Sequence, residues 1–162
     1  MRSRHHGFTL IEIMIVIMLL AILAAMVVPR VLDAQVDACA SALETDIQML
    51  RQQIIVYKAQ HGGNGPHLDA DGNLDKANFS ARLTGKTNPD GTIAPNGSCG
   101  PYMIKWPTNP FITSDAAAGT VLFGTDTSTP RNSTSGWYYN TDTCLISPNS
   151  ATGGEKLDPK PD

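Results

Sequence analysis

The stretch that decides the fold is Gly7-Phe8-Thr9-Leu10-Ile11-Glu12, followed without a break by IMIVIMLLAILAAMVV, which ends at Val28. Apart from Thr9 and Glu12, the run from Phe8 to Val28 is apolar. At about 1.5 Å per residue, a helix of that length spans roughly 30 Å, the thickness of a hydrocarbon core. An ordinary secretory signal has a shorter apolar region closed by small residues. Here the run continues past Ala21–Ala25 through Met26, Val27 and Val28. Arg2 and Arg4 precede it, with His5 and His6 beside them, so the positive-inside rule predicts a cytoplasmic N-terminus and a chain that is otherwise outside the cytoplasm.

Glu12 is the anomaly. An acid at the centre of a membrane helix costs on the order of 3 kcal/mol, and such residues are functional by default. Near the end of the span the cost is smaller, and the plainest reading is a carboxylate that snorkels to the headgroups. That reading leaves the glycine and the short basic leader unexplained. A cut after Gly7 explains all three. Phe8 then carries a new amine one helical turn from Glu12, and a carboxylate is favoured at a helix N-terminus. In a polymer, the amine of an incoming subunit would neutralise Glu12 of its neighbour only when the two dock in one axial register, which is the best-attested use of a buried ion pair.

A basic leader, Gly7, FTLIE and about twenty apolar residues together resemble the class III leader of type IV pilins and type II secretion pseudopilins. The resemblance implies that prepilin peptidase cuts after Gly7, that Phe8 becomes the N-methylated N-terminus, and that Glu12 supports assembly. It is carried by residues 1–30. Pro29 closes the run where family members often have a proline, which implies a helix kink or a locally melted segment in the filament. On local grounds alone Pro29 marks the end of a membrane helix.

Beyond Pro29 the pattern becomes amphipathic. Leu32, Val36, Ala40, Leu43, Ile47, Leu50, Ile54 and Tyr57 form a stripe at helical period, with Asp33, Asp37, Glu44, Asp46, Gln48, Arg51 and Gln52 on other faces. The stripe predicts one helix laid on a small sheet, ending at His61-Gly62-Gly63. Cys39 borders it as a buried structural thiol. A helix over the whole stretch would reach roughly 80 Å.

The remainder, rich in Gly, Pro, Asn, Ser and Thr, reads as short strands joined by turns. A short helix is expected within 75–83, with Gly85 beyond it. Turns are expected at Asn88-Pro89-Asp90-Gly91 and Pro95-Asn96-Gly97, and strands near 103–106, 120–123, 137–139 and 144–147. Asn140-Thr141-Asp142-Thr143 signals a hairpin. Gly100-Pro101-Tyr102, Trp106-Pro107 and Asn109-Pro110-Phe111 resemble the segment before the strands of major, G-type pseudopilins.

Cys39, Cys99 and Cys144 are an odd set. In an oxidising compartment a Cys99–Cys144 disulfide would close a loop of about 45 residues and contribute roughly 3–4 kcal/mol. The alternative is three small unpaired hydrophobes. Asp69-Ala70-Asp71-Gly72-Asn73 has the alternating oxygens of a calcium loop, but its glycine falls early and the twelfth place is Ser80, so a polar turn is the better reading. Asp115, Asp126 and Asp142 are scattered singly, so the late-loop calcium site common among G-type pseudopilins has no clear motif here, and the cofactor expectation is none. His61 and His67 have no ligands at zinc-like spacing. No nucleophile elbow, phosphate loop or paired catalytic acids occur, and no enzyme is expected. Removing residues 1–7 lowers Lys+Arg from 12 to 10 against 15 Asp+Glu, which moves the net charge from −3 to −5. That gives no bulk attraction to nucleic acid.

The expected organisation is a leader at 1–7, a transmembrane assembly helix at 8–29, an amphipathic helix at 30–61, a head at 62–152 and a disordered tail at 153–162. The expected fold is α+β and pilin-like, a long N-terminal α-helix packed by its second half on a small antiparallel β-sheet. The resemblance implies a structural subunit of a type II secretion pseudopilus at the inner membrane, its head periplasmic. Its implied partners are copies of itself, prepilin peptidase, minor pseudopilins, an assembly platform with a separate ATPase, and an outer-membrane secretin. The alternatives are a type IV pilin of a surface fibre and a monomeric anchored protein.

Overall fold

Helix α1 spans Leu10–Gln60 and is helical through Pro29, so the proline lies within the helix and not at its end. The computed structural model describes residues 9–126 and 130–151. The expected leader (1–7), Phe8 and the expected tail (153–162) lie outside the described residues. The chain divides after Ala38 into two units.

In the first unit the large apolar side chains between Leu10 and Val28 are half or more exposed, from 50% at Ile13 and Val16 to 79% at Leu10. A helix apolar on every side needs lipid or other helices around it. Among the described residues it is the one helix long and apolar enough to cross a membrane.

The second unit begins at Cys39. The predicted stripe becomes a buried seam from Leu43 onward, with Leu43, Ile47 and Leu50 fully enclosed and Ile54 and Tyr57 nearly so. Leu32 and Val36, earlier on the stripe, are exposed. Cys39 is half-buried, not the enclosed thiol expected. The helix stops as its glycines predict. Gly62 has φ 64° and the Gly63 N–H donates to the Lys58 carbonyl at 2.8 Å, closing the end in a Schellman arrangement that a Cβ at position 62 would strain. His61 fills the corner. It stacks on Tyr57 at 3.7 Å, with Nδ1 2.7 Å from the Tyr57 carbonyl and Nε2 3.0 Å from Thr87 Oγ1. A carbonyl only accepts, so Nδ1 carries the proton.

Helix α2 (Phe79–Thr84) ends at Gly85 as expected but starts four residues later than the predicted window. Helix α3 (Asp115–Ala118) had no signal in the sequence. Strands β1 (Val121–Gly124), β2 (Trp137–Asn140) and β3 (Ile146–Pro148) form one sheet in the order β1-β2-β3. The seam of α1 meets it through Phe79, Leu83, Met103, Trp137, Tyr139 and Ile146.

Two expectations about the sheet are corrected. It is mixed, not antiparallel: β2 and β3 form the antiparallel hairpin, but β1 pairs parallel with β2, Val121 opposite Trp137. The segment 125–136, about a dozen residues, is long enough for the crossover a parallel pair requires. The second correction is the segment 103–106, which is not a strand. The N–H groups of Tyr102 and Met103 both donate to the Leu83 carbonyl, at 3.0 and 3.1 Å, so the chain is tied to the end of α2 and Trp106 bonds Gly119. Both predicted turns form, with Gly91 N bonded to Asn88 O and Gly97 N to Ala94 O.

On β3 the outward groups are guarded. Leu145 pairs with Asn140 by a hydrogen bond, so Ile146 points its carbonyl away from β2. Arg51 Nε donates to that carbonyl at 3.1 Å. Pro148, two residues on, has no N–H to offer.

Gly136 is a packing requirement. A Cβ there would fall on the Ala118 carbonyl, and the Gly136 N–H already donates to Ala117 O at 2.8 Å. Gly136→Ala is expected to lower stability by about 1–3 kcal/mol through overpacking. Urea unfolding followed by tryptophan fluorescence measures it, and a midpoint equal to wild type would mean that the loop yields freely.

Candidate processing and assembly site

Helix α1 is started by its own side chains. Thr9 is the last residue before the helix and Glu12 lies in its first turn. The Thr9 N–H donates to Glu12 Oε2 at 2.8 Å, the Thr9 hydroxyl donates to the same oxygen at 2.8 Å, and the Glu12 N–H donates to Thr9 Oγ1 at 3.3 Å. This is a capping box, T-x-x-E, in which each side chain satisfies a backbone donor that the first turn leaves open. The T-x-x-E spacing of Thr9 and Glu12 is the sequence signal for it, and it acts beside the pairing with the Phe8 amine expected from the charge. Both bonds converge on Oε2, and Oε1 has no partner among the described residues. The carboxylate is thus held in one orientation with one oxygen still able to accept.

Gly7 and Phe8, the predicted cleavage point and new N-terminus, lie outside the described residues. Thr9→Val removes the hydroxyl and is expected to weaken the first helical turn by about 1 kcal/mol. Faster amide exchange confined to residues 10–13 is the readout, and unchanged exchange would show that Glu12 caps the helix alone.

Cys99 and Cys144 are free thiols, and the expected bridge is not formed. Cys99 is fixed in a backbone bridge with Thr87, which bonds it in both directions at 2.9 and 3.0 Å. Cys144 occupies the left-handed corner of the β2–β3 hairpin, at φ 57°, and packs against the core. Asp69 makes a polar turn as expected. Its Oδ1 accepts the N–H groups of Asp71 and Asn73 at 3.0 and 2.8 Å. Among the described residues no three His, Cys, Asp or Glu side chains are grouped to hold a metal.

Two buried polar groups of the head went unforeseen. Arg82, 4% exposed, donates from Nε to Gly91 O, from one terminal nitrogen to Pro66 O and Asp75 O, and from the other to the Asp75 carboxylate at 2.7 Å. The second group is His67. Its Nδ1 lies 3.0 Å from the Tyr139 hydroxyl. Burial, then the cations Lys58 and Arg82, hold its pKa below the ordinary 6.5, with Asp142 opposing weakly. Burial likewise raises the Tyr139 phenol and lifts Tyr57 to about 12. Because His67 is harder to protonate folded than unfolded, it supports the fold above pH 6.5, and that support is lost as pH falls below 6.5 and through the lowered value. The melting temperature should therefore fall over that interval, and less steeply in His67→Gln. Parallel profiles for the two proteins would count against the assignment.

The sequence model for the prokaryotic N-terminal methylation motif matches residues 2–28. It covers Gly7, Phe8, Thr9 and Glu12 together with the whole apolar run to Val28. No curated protein and no solved structure matches the chain. The N-terminus is thus a type IV pilin-like prepilin signal, which supports the pilin and pseudopilin family and implies processing by prepilin peptidase and polymerisation in a pilin-like system. With it stand a membrane-compatible apolar helix and a head in which that helix packs on a small sheet, the α+β arrangement of a pilin-like fold.

Proposed function

We propose that the chain is a major subunit of the periplasmic fibre of a type II protein secretion system. Stored in the inner membrane with its N-terminus cytoplasmic, it is cut after Gly7, N-methylated on Phe8 and added to a helical polymer whose core is the bundled apolar helices. The observation that carries assembly is the Glu12 carboxylate, clamped by Thr9 through Oε2, with Oε1 uncommitted among the described residues. The amine of an incoming Phe8 supplies the missing donor and the missing positive charge. The pairing neutralises two ions that lipid disfavours and fixes axial register. The fibre is a mechanical device, so the motor ATPase, minor pseudopilins and secretin belong to other chains, and no cofactor is assigned to this one.

The Gly100-Pro101-Tyr102 segment favours a secretion fibre over a surface pilus. It is a structural element here: the Tyr102 hydroxyl donates to Gln60 at the end of α1 at 2.7 Å, and its ring meets Tyr57 edge-on at 5.3 Å.

A deletion strain tests the reading. Secreted proteins that accumulate in the periplasm while surface fibres persist fit a pseudopilin. Normal secretion with loss of surface fibres, adhesion or DNA uptake would make the chain a type IV pilin. Mass spectrometry of the mature N-terminus must find N-methylated Phe8, and any other N-terminus returns the chain to the class of anchored monomers.

A further inference from the structure

Ile104 is an apolar side chain left wholly in solvent, 102% exposed. It stands at a bend with Lys105, and both flanks of the bend are anchored. Met103 is buried and bonded to the Leu83 carbonyl, and Trp106 Nε1 donates to Gly119 O at 2.8 Å. The knob is therefore presented by a fixed backbone, and Lys105 has no partner among the described residues. The same unit also carries an open cavity of about 460 Å³ lined by Asp69, Ala70, Asp71, Asn78, Arg82, Thr92 and Ile93. Ile93 is 41% exposed. Asp75 already neutralises Arg82. Asp71 lends only its N–H to the Asp69 turn, which leaves its carboxylate unengaged among the described residues.

We infer that the Ile104-Lys105 knob of one copy docks in the Asp69–Asp71–Ile93 cavity of a second copy, Ile104 against Ile93 and Ala70 and the Lys105 ammonium against the Asp71 carboxylate. The inference rests on the fibre reading above. The occupant is a second copy because the two patches complement each other in charge and in apolar character and both belong to this chain. A contact between two different patches of identical subunits is heterologous, and a heterologous contact that does not close generates a helical polymer. Opposite charges fix the partner and the register, while like charges brought together there are strongly disfavoured.

The test is a charge exchange in the full-length chain, produced in cells and followed by fibre yield in electron micrographs and sheared fractions. Lys105→Glu and Asp71→Lys singly should each lower fibre yield about tenfold or more, and the double variant should recover most of it. Both residues are outside the core, and resistance of the heads to protease checks that the variants fold. Ala70→Cys combined with Ile104→Cys should give an oxidised ladder of multimers, which neither single variant gives and which Glu12→Ala suppresses. Normal fibres from Lys105→Glu, or a double variant no better than the singles, overturn the docking and leave the fibre reading intact. Normal fibres with impaired secretion would assign the knob to another partner and overturn the pairing. A wild-type chain that forms no fibre overturns both readings.

Discussion

Glu12→Ala leaves a subunit that is folded and inserted but builds no fibre, and Glu12→Gln behaves the same way. The pair of variants separates the helix cap that the structure shows from the assembly role proposed above. A glutamine three residues after the cap can still complete a capping box, so Glu12→Gln keeps the helix start that Thr9 and Glu12 make together. What it lacks is the charge. If Glu12 serves only to begin the helix, the alanine variant loses about 1 kcal/mol of local stability and the glutamine variant assembles normally. If it neutralises an incoming amine in a lipid-like surrounding, both fail, because an unpaired ammonium there costs on the order of 3 kcal/mol per subunit and the cost recurs at every addition. Fibre yield, with membrane fractionation as the control for insertion, reads the answer. Abundant fibres from Glu12→Gln would sink the registry role.

The second large effect is expected at Arg82. Arg82→Ala should lower the stability of the head by about 3–5 kcal/mol, because it strips the cationic partner from the Asp75 carboxylate, which keeps only Asn78, and leaves buried carbonyls without donors. Arg82 joins three stretches of chain that share no regular structure, at Pro66, Asp75 and Gly91. Asn78 and then Arg82 hold the Asp75 carboxyl below the usual carboxylate range, a sign that this acid is bonded as an anion. Lysine is a poor substitute, since one ammonium cannot reproduce a planar fork that reaches three segments. Arg82→Lys is expected to recover less than half of the loss. Thermal unfolding by circular dichroism should show a fall of about 10 °C or more for the alanine variant. A fall of only a degree or two would mean that the loops are held by other contacts.

Much of the second unit could be read from local rules. The end of α1, the seam from Leu43 to Tyr57, the two turns and the β2–β3 hairpin each follow from a short periodic run or a turn residue. What escaped depends on distant segments. Nothing in Met103–Trp106 says that its backbone is tied to Leu83, and nothing in Val121–Gly124 says that its neighbour runs parallel. Arg82 sits in an amphipathic turn of helix where an arginine ordinarily faces water, and its burial is decided by carbonyls as far away as Pro66. At the N-terminus the chemistry was legible and its geometry only partly so. The threonine three places before Glu12 is the mark of a capping box, whereas the charge of Glu12 by itself points to the Phe8 amine and says nothing of the Thr9 hydroxyl.

The guarded edge of β3 gains weight if the chain is stored in a membrane, as proposed above. Subunits stored there for assembly would lie at high local density, and a bare strand edge is a template on which sheets from different copies can stack without end. Arg51 occupies the Ile146 carbonyl and Pro148 withholds a donor. Both features disfavour the addition of a further strand at that edge. Arg51→Ala should therefore shorten the time to aggregation of the isolated protein, with rising thioflavin fluorescence, more than its modest loss of stability would explain.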